Sequence, residues 1–273
     1  MGGLMFIAAA IICLVCNIPF MTDYTVFYVL ILSLCFGAVG FVDDFCKMKK
    51  KQNEGLTSIQ KLLLQLAVSA LFLYTMYKTG AMNCHLYIPF FNVTFTIHPI
   101  VYIFFAMFVM VGCDNAVNLT DGVDGLSSSV TIPVMVFFTA ACVAMGKFDL
   151  ALLPACLTGG LIAYLCYNWH PAKVFMGDTG SLFLGGMVCA LAFALDMPLI
   201  LILIGLVYII ETLSVILQVG YFKLTRGKRI FKMAPIHHHF EMCGWKEVKI
   251  VLVFTAVSAV MCILAWIGIS GRL

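Results

Sequence analysis

A hydrocarbon bilayer is crossed by a helix of about 20 mostly apolar residues, and runs of that kind follow one another through this sequence. They fall near 2–18, 27–43, 62–79, 97–113, 127–145, 150–167, 180–195, 198–221 and 250–269. Helix is expected for each, because inside lipid every backbone N–H and C=O must find its partner within the segment or in a closed barrel. The composition agrees: of 273 residues, 63% are hydrophobic and 11% charged, where soluble domains run near half apolar and about a quarter charged. The expected fold is all-α, a polytopic integral membrane protein with roughly nine transmembrane helices and one membrane-embedded domain over 1–273. Connections as short as 146–150 and 196–198 suit antiparallel neighbours. No stretch is polar enough for a separate soluble domain, and the internal symmetry typical of many transporters is not evident.

The opening residues, MGGLMFIAAAIICLVC, have no basic leader and no small-residue cleavage site, so they read as a spanning helix. The twelve cysteines are scattered, and Cys13 and Cys16 have no second pair to complete a zinc site. They read as small apolar helix residues.

Charge is distributed by side. Alternate gaps between the spans hold Lys47, Lys49, Lys50, Lys51, Lys61, Lys173, Lys223, Arg226, Lys228, Arg229, Lys232, Lys246 and Lys249, against Lys78, Lys147 and Arg272 in the other set. The positive-inside rule makes the first set cytoplasmic. Asp43, Asp44, Asp114, Asp121, Asp124, Asp178 and the histidines of PIHHHFE fall on that same side. Solvated loops alone do not require carboxylates, amides and histidines to gather on one face, so an active site in the cytoplasmic loops is expected.

Four segments carry the chemistry. In FVDDFCKMKKKQNEGLTSIQK, Asp43 and Asp44 end the second span and Lys47 follows. Paired carboxylates hold a hard divalent cation or act as a base, and lysines hold phosphate; the plainer reading is a boundary charge cluster. Lys49, Lys50 and Lys51 read as orientation or lipid-headgroup charges. In DNAVNLTDGVDGL, Asp121 and Asp124 are each followed by glycine, and Asn115 and Asn118 precede them at the same spacing. That suits a polar pocket, and the pattern is not an EF-hand. In YNWHPAKVFMGDTGS, Asp178 opens a span, where it is an N-cap or a Mg²⁺ ligand beside a pyrophosphate drawn to the helix N-terminus. Phe175 is a candidate stacking surface or a packing residue, and His170 reads as a membrane-interface residue.

The fourth segment is the basic loop containing PIHHHFEMCGW. Consecutive histidines point in different directions, so convergent zinc ligation by His237, His238 and His239 is a weak reading. They read better as donors to substrate phosphate or sugar oxygens, or as braces for the aspartates. Glu211 is an intramembrane ionisable residue, with function or a hydrogen bond to a neighbouring helix both open. Gln218, further toward the cytoplasmic face, is expected to line the same cleft. No P-loop or GxGxxG occurs, which leaves phosphate binding to cations and a metal.

Taken together and in this order, the DD pair, NLTDGVDGL, FMGDTGS and PIHHHFE closely resemble the bacterial phospho-N-acetylmuramoyl-pentapeptide-transferases. These belong to the polyprenyl-phosphate N-acetylhexosamine-1-phosphate transferase superfamily. The first three elements mark the superfamily, and the intact PIHHHFE followed by GW and Glu247 points to the muramoyl branch. The resemblance implies transfer of phospho-MurNAc-pentapeptide from UDP-MurNAc-pentapeptide to undecaprenyl phosphate. UMP and lipid I are the products, in the first membrane-bound step of peptidoglycan synthesis. It implies Mg²⁺ as cofactor, the bacterial inner membrane as location, a homodimer as a candidate assembly and no nucleic acid.

Residue by residue, the resemblance makes Asp43, Asp44 and Asp178 catalytic with His237, His238 and His239, and makes Asp178, helped by Asp44, the metal ligand. Lys47 and Lys61 match phosphate-handling lysines. Asn118, Asp121, Asp124 and Asn168 match the nucleotide–sugar pocket, and Phe175 matches an aromatic beside the uracil. Asp43 could orient or deprotonate the lipid phosphate for direct attack, or a carboxylate could attack first. The family usually has a further first span and a G-T-P-T-M-G-G stretch. This sequence opens at that Met-Gly-Gly and reads as the family minus one helix. Two other readings are a polytopic ion-coupled carrier, which leaves the loop carboxylates unexplained, and a relative using UDP-N-acetylglucosamine.

Overall fold

The computed structural model describes residues 1–50, 55–80 and 82–273; Lys51, grouped above with the headgroup-facing lysines, lies outside the described residues. Helix α1 (Leu4–Asn17) stops where the Asn17 amide folds back onto Cys13 O at 2.8 Å and Pro19 enters a 3₁₀ turn, Ile18–Phe20. Then come α2 (Thr25–Lys50) and α3 (Ser58–Lys78), the latter opened by a capping box between Thr57 and Gln60. A two-stranded antiparallel hairpin follows, β1 (His85–Ile88) with β2 (Val93–Thr96). The chain continues through α4 (Pro99–Thr120), α5 (Leu126–Ala144), α6 (Phe148–Asn168) and α7 (Gly177–Ala194). It ends with α8 (Leu201–Ile204), α9 (Leu206–Leu224), α10 (Ile236–Met242) and α11 (Glu247–Gly268).

Among the described residues, eight helices are long and apolar enough to cross a membrane: α2 to α7, α9 and α11. The all-α, multi-pass architecture expected from the sequence is therefore present, with one fewer full-length span. The run near 2–18 gives α1, whose 14 residues extend about 21 Å at 1.5 Å per residue, short of a core about 30 Å thick. The run 198–221 is not one helix. It starts as a 3₁₀ turn at Pro198–Ile200, forms one turn of α8, and is interrupted at Gly205 before α9. The hairpin escaped a reading based on long apolar windows, because its strands are only four residues each. It sits against the end of α11, where Phe90 N donates to Gly268 O at 2.7 Å.

Helix α3 is inside-out relative to a soluble amphipathic helix. It buries Gln65 and Ser69 while exposing Leu62, Leu63, Leu64 and Leu71. Apolar side chains can face lipid at no cost, whereas polar ones need protein partners there. The centre of the bundle is α7, in which every residue from Thr179 to Ala192 is buried, as expected of a helix apolar on all sides. Its packing against α2 requires Gly40: a Cβ at that position would lie 2.1 Å from Asp178 O. This close approach sets the Asp43–Asp44 pair beside the start of α7.

Candidate active site

The alternating helix directions collect the end of α2, the starts of α3, α5, α7 and α11, and the ends of α4, α6 and α9 at one end of the bundle. Asp43, Asp44 and Asp178 meet there, with ligand oxygens all within 4.8 Å of one another. Asp43 is buried; its Oδ1 accepts from Leu56 N at 2.6 Å and its Oδ2 lies 2.6 Å from Lys47 Nζ, one helical turn on. Asp178 is held from three sides. Its Oδ2 takes Lys47 Nζ at 3.0 Å and Lys61 Nζ at 3.2 Å, and its Oδ1 accepts from Asn118 Nδ2 at 2.9 Å. Lys61 Nζ also donates to Asn118 Oδ1, and Asn118 Nδ2 to Ser181 Oγ. Sequence-distant Asp43, Lys47, Lys61, Asn118 and Asp178 thus form one network.

Asp44 does something the sequence did not suggest. Its carboxylate accepts from Asp178 N at 3.2 Å, Thr179 N at 3.0 Å and Thr179 Oγ1 at 2.6 Å. The free N–H groups of the α7 N-terminus, expected above to draw a pyrophosphate, are capped by a carboxylate from α2. A negative group at a helix N-terminus is favourable, and here it also locks Asp178 in place.

A cavity of ≈ 630 Å³ opens beside the cluster, lined by Asp43, Lys47, Lys50, Gly55, Leu56, Thr57, Ser58, Lys61 and Asp178. Its donor set is carboxylate oxygen with lysine, which suits a hard divalent cation and phosphate oxygens, not a thiophilic metal. Asp43, Asp44 and Asp178 are the residues that could hold such a cation.

The loop between α4 and α5 closes a second side. Asp121 is half-buried; burial first, and then the negative charges of Asp178 and Asp44, push its carboxyl up to about 7. Asp124 Oδ2 accepts from Ala172 N at 2.9 Å and lies 3.2 Å from His170 Nδ1. Asn168 is buried and already committed: its Oδ1 accepts from Gly125 N, and its Nδ2 donates to Val174 O. It ties the α4–α5 loop to the segment after α6. On that segment Phe175 is 62% exposed, free to meet a ligand.

Contrary to the interface reading, His170 belongs to this polar end. Its Nδ1 lies 3.2 Å from both Asp124 Oδ2 and Glu247 Oε2. The only local signal was its place in the Asn-Trp-His-Pro run, two residues after Asn168.

The three histidines sit on α10, whose 100° steps send them to three environments. His237 is fully buried and paired with Glu211 at 2.9 Å. Its Nε2 lies over Gly122, where a Cβ would come within 2.3 Å. His238 Nδ1 lies 2.5 Å from Glu241 Oε2, and His239 Nδ1 accepts from Lys232 N at 3.1 Å. Among the described residues, neither cluster able to hold a metal includes any of the three. Gln218 does not line the cavity. Its Oε1 accepts from Ile230 N and Phe231 N, and its Nε2 donates to Phe231 O, fastening the basic loop after α9.

A third feature is apolar. A cavity of ≈ 390 Å³ lies between α4 and the α8–α9 pair, lined by residues including Phe105, Phe108, Gly112, Ala116, Leu199, Ile202, Leu213 and Ile216. It runs along the α9-facing side of α4 as far as Ala116, whereas Asn118 faces α3 and α7.

Residues 26–196 match the glycosyl transferase family 4 model. The chain is 47% identical over 269 residues to the phospho-N-acetylmuramoyl-pentapeptide-transferase of Clostridium acetobutylicum, covering 98% of this chain and 84% of the relative. It is 51% identical over 265 residues to the enzyme of that name from Clostridium perfringens strain 13, covering 97% and 82%. A Clostridium novyi enzyme of the same name is 44% identical over 272 residues, covering 98% and 82%.

Proposed function

The chain belongs to the phospho-N-acetylmuramoyl-pentapeptide-transferases of glycosyl transferase family 4, and we infer from this how its polar end carries out their reaction. The reaction moves phospho-N-acetylmuramoyl-pentapeptide from its UDP carrier to undecaprenyl phosphate, giving lipid I and UMP for peptidoglycan synthesis. An oxygen of the lipid phosphate bonds to the sugar-bearing phosphorus of the diphosphate. The bridging P–O bond breaks, and its electron pair leaves on UMP.

The observation that carries the assignment of residues is the meeting of Asp43 and Asp178 with Lys47 and Lys61 on the wall of one cavity, with Asp44 directly behind them. Phosphoryl transfer is mostly a matter of positioning and charge neutralisation, and this cluster offers both. Asp178, with Asp44 beside it, would hold Mg²⁺, which when bound neutralises the diphosphate and the departing UMP. Lys47 and Lys61 swing from Asp178 onto phosphate oxygens as substrate enters. Asp43, fixed by Leu56 N–H and Lys47, orients the lipid phosphate for direct attack. Asn118, Asp121, Asp124 and exposed Phe175 form the nucleotide–sugar side, with Asn168 as the brace that shapes it. His237 acts through its free Nε2 at the Asp121–Gly122 loop, while His238, His239 and Gln218 hold α10 and the basic loop in place.

The lipid acceptor enters from the side. An isoprenoid chain matches the apolar groove along α4 and α9, which ends at Ala116, near the end of α4. The lysine-rich end of the bundle is the cytoplasmic one by the charge rule, so the UDP substrate would reach the site from the cytoplasm.

UMP release tests the assignment. It should require Mg²⁺, UDP-MurNAc-pentapeptide and a polyprenyl phosphate together. Release with UDP-N-acetylglucosamine in place of the muramoyl substrate would sink the substrate reading, and release without polyprenyl phosphate would sink the transfer reading.

A further inference from the structure

Asp124, His170 and Glu247 come from three separate connections, yet their side chains converge on one atom. His170 Nδ1 lies 3.2 Å from Asp124 Oδ2 and 3.2 Å from Glu247 Oε2. Asp124 Oδ2 is also the acceptor for Ala172 N at 2.9 Å. Two carboxylates at equal distance from one ring nitrogen repel each other unless a donor N–H stands between them. His170 is therefore the link through which Glu247, in the first turn of α11, bears on Asp124. The α11 end of the link is itself rigid. Trp245 stacks on Phe240 of α10 at 4.7 Å between ring centroids, and Lys249 Nζ sits 4.1 Å over the Trp245 ring.

We propose that Glu247 and His170 are positioning residues for Asp124, fixing its Oδ2 so that Oδ1 is presented to the N–H or O–H donors of the nucleoside half of the UDP substrate. The inference rests on the nucleotide reading of Asp124 given above. Among the described residues Oδ1 has no hydrogen-bond partner, whereas Oδ2 has two neighbours. A carboxylate held by one oxygen loses its rotational freedom before the ligand arrives, and such preorganisation appears as affinity. The same link couples α11, and through the Trp245–Phe240 stack the histidine-bearing α10, to the segment 168–176, which carries exposed Phe175. Closure of the nucleotide side thus depends on a residue that touches no substrate.

The test is a double-mutant cycle in the full chain, read as KM for UDP-MurNAc-pentapeptide against KM for polyprenyl phosphate in UMP release, with folding followed by thermal unfolding. Glu247→Gln should raise the nucleotide-substrate KM about five-fold, with kcat falling less than KM rises, and leave the lipid KM in place. His170→Ala should raise it further, and Glu247→Gln added to His170→Ala should add nothing. His170→Asn, which keeps a donor near the Nδ1 position, should recover part of the loss. Equal effects of Glu247→Gln in both backgrounds would overturn the link, as would a parallel rise in the lipid KM. If Asp124→Asn raises the nucleotide KM while Glu247→Gln and His170→Ala do not, the positioning role alone falls. If Asp124→Asn leaves that KM unmoved, the nucleotide reading itself falls and takes this inference with it. Should His170→Ala fail to fold, the Glu247→Gln effect measured in the His170→Asn background decides the same question.

Discussion

His237 and Glu211 form a hydrogen-bonded pair without solvent access: Nδ1 lies 2.9 Å from Oε2, and both side chains are 0% exposed. They lie 26 residues apart, one on α10 and one inside the membrane-spanning α9. A carboxylate at Nδ1 fixes the ring's tautomer and orientation. The other nitrogen, Nε2, is left without a partner among the described residues and is aimed at the Asp121–Gly122 loop. Intramembrane Glu211 therefore has a structural partner: it holds a histidine at the end of the bundle that carries the carboxylate cluster.

Replacing Glu211 with Gln tests that support. A Gln amide keeps the shape but replaces the acceptor-only carboxylate with a group that can either accept from or donate to Nδ1, so the ring's tautomer is no longer fixed. UMP release should fall about ten-fold or more, with thermal stability changed little. Gly122→Ala should act on the same ring from the other side, because its Cβ would lie 2.3 Å from Nε2. Full turnover in Glu211→Gln would remove the catalytic meaning of the pair.

Asp44 and Asp178 should separate on stability. Both Asp44→Ala and Asp178→Asn should abolish Mg²⁺-dependent transfer. Only Asp44→Ala also strips the cap from the α7 N-terminus, since it removes the acceptor of two backbone N–H groups and Thr179 Oγ1. Loss of such a cap costs about 1–2 kcal/mol, so its melting temperature should drop measurably. Asp178→Asn keeps an acceptor for Lys47 and Lys61 and should melt near the parent. Equal melting temperatures would argue against the capping role.

Asp121 gives a pH signature. Its folded carboxyl titrates at about 7, against about 3.9 in an unfolded chain. Between those values the folded chain holds a proton that the unfolded chain has released. The associated stability is full below about 4 and is lost as pH rises through about 7. Asp121→Asn cannot ionise, so in EDTA it should melt above the parent at pH 8 and close to it at pH 4 to 5. Mg²⁺ favours the carboxylate anion and should narrow the gap at pH 8. A gap of constant size across pH would refute the shift.

These sites were unequally legible in the sequence. Asp43, Asp44 and Asp178 stood out because carboxylates at the edges of apolar runs are costly and so informative. Helix parity then placed them on one side. The Asp44 cap on α7 could not be read, because it depends on Gly40 letting two helices touch across 134 residues. Gln218 looked like a cleft residue by side and polarity, and Asn168 was matched to the pocket by the family resemblance; only the three-dimensional path of the loops shows their amides holding backbone. His170 was misread because a histidine at a span boundary is compatible with a headgroup position, and its partners come from distant connections. The break at Gly205 was similarly hidden, as an apolar run has the same hydropathy whether its helix is continuous or interrupted.

The apolar groove makes the last prediction, and it distinguishes lipid from nucleotide effects. Gly112 lies on α4 in the groove wall, and a Cβ there meets nothing within 4 Å. A large side chain can thus be added without displacing protein atoms, into space that a long isoprenoid chain would need. Gly112→Phe should therefore fold normally and raise the KM for undecaprenyl phosphate about ten-fold, the order of two buried methylenes lost at about 0.8 kcal/mol each. A short-chain polyprenyl phosphate, which does not fill the groove, should lose much less, and the KM for UDP-MurNAc-pentapeptide should stay where it is. If long and short acceptors suffer alike, the chain does not lie in this groove, and another face of the bundle must deliver the phosphate to Asp43.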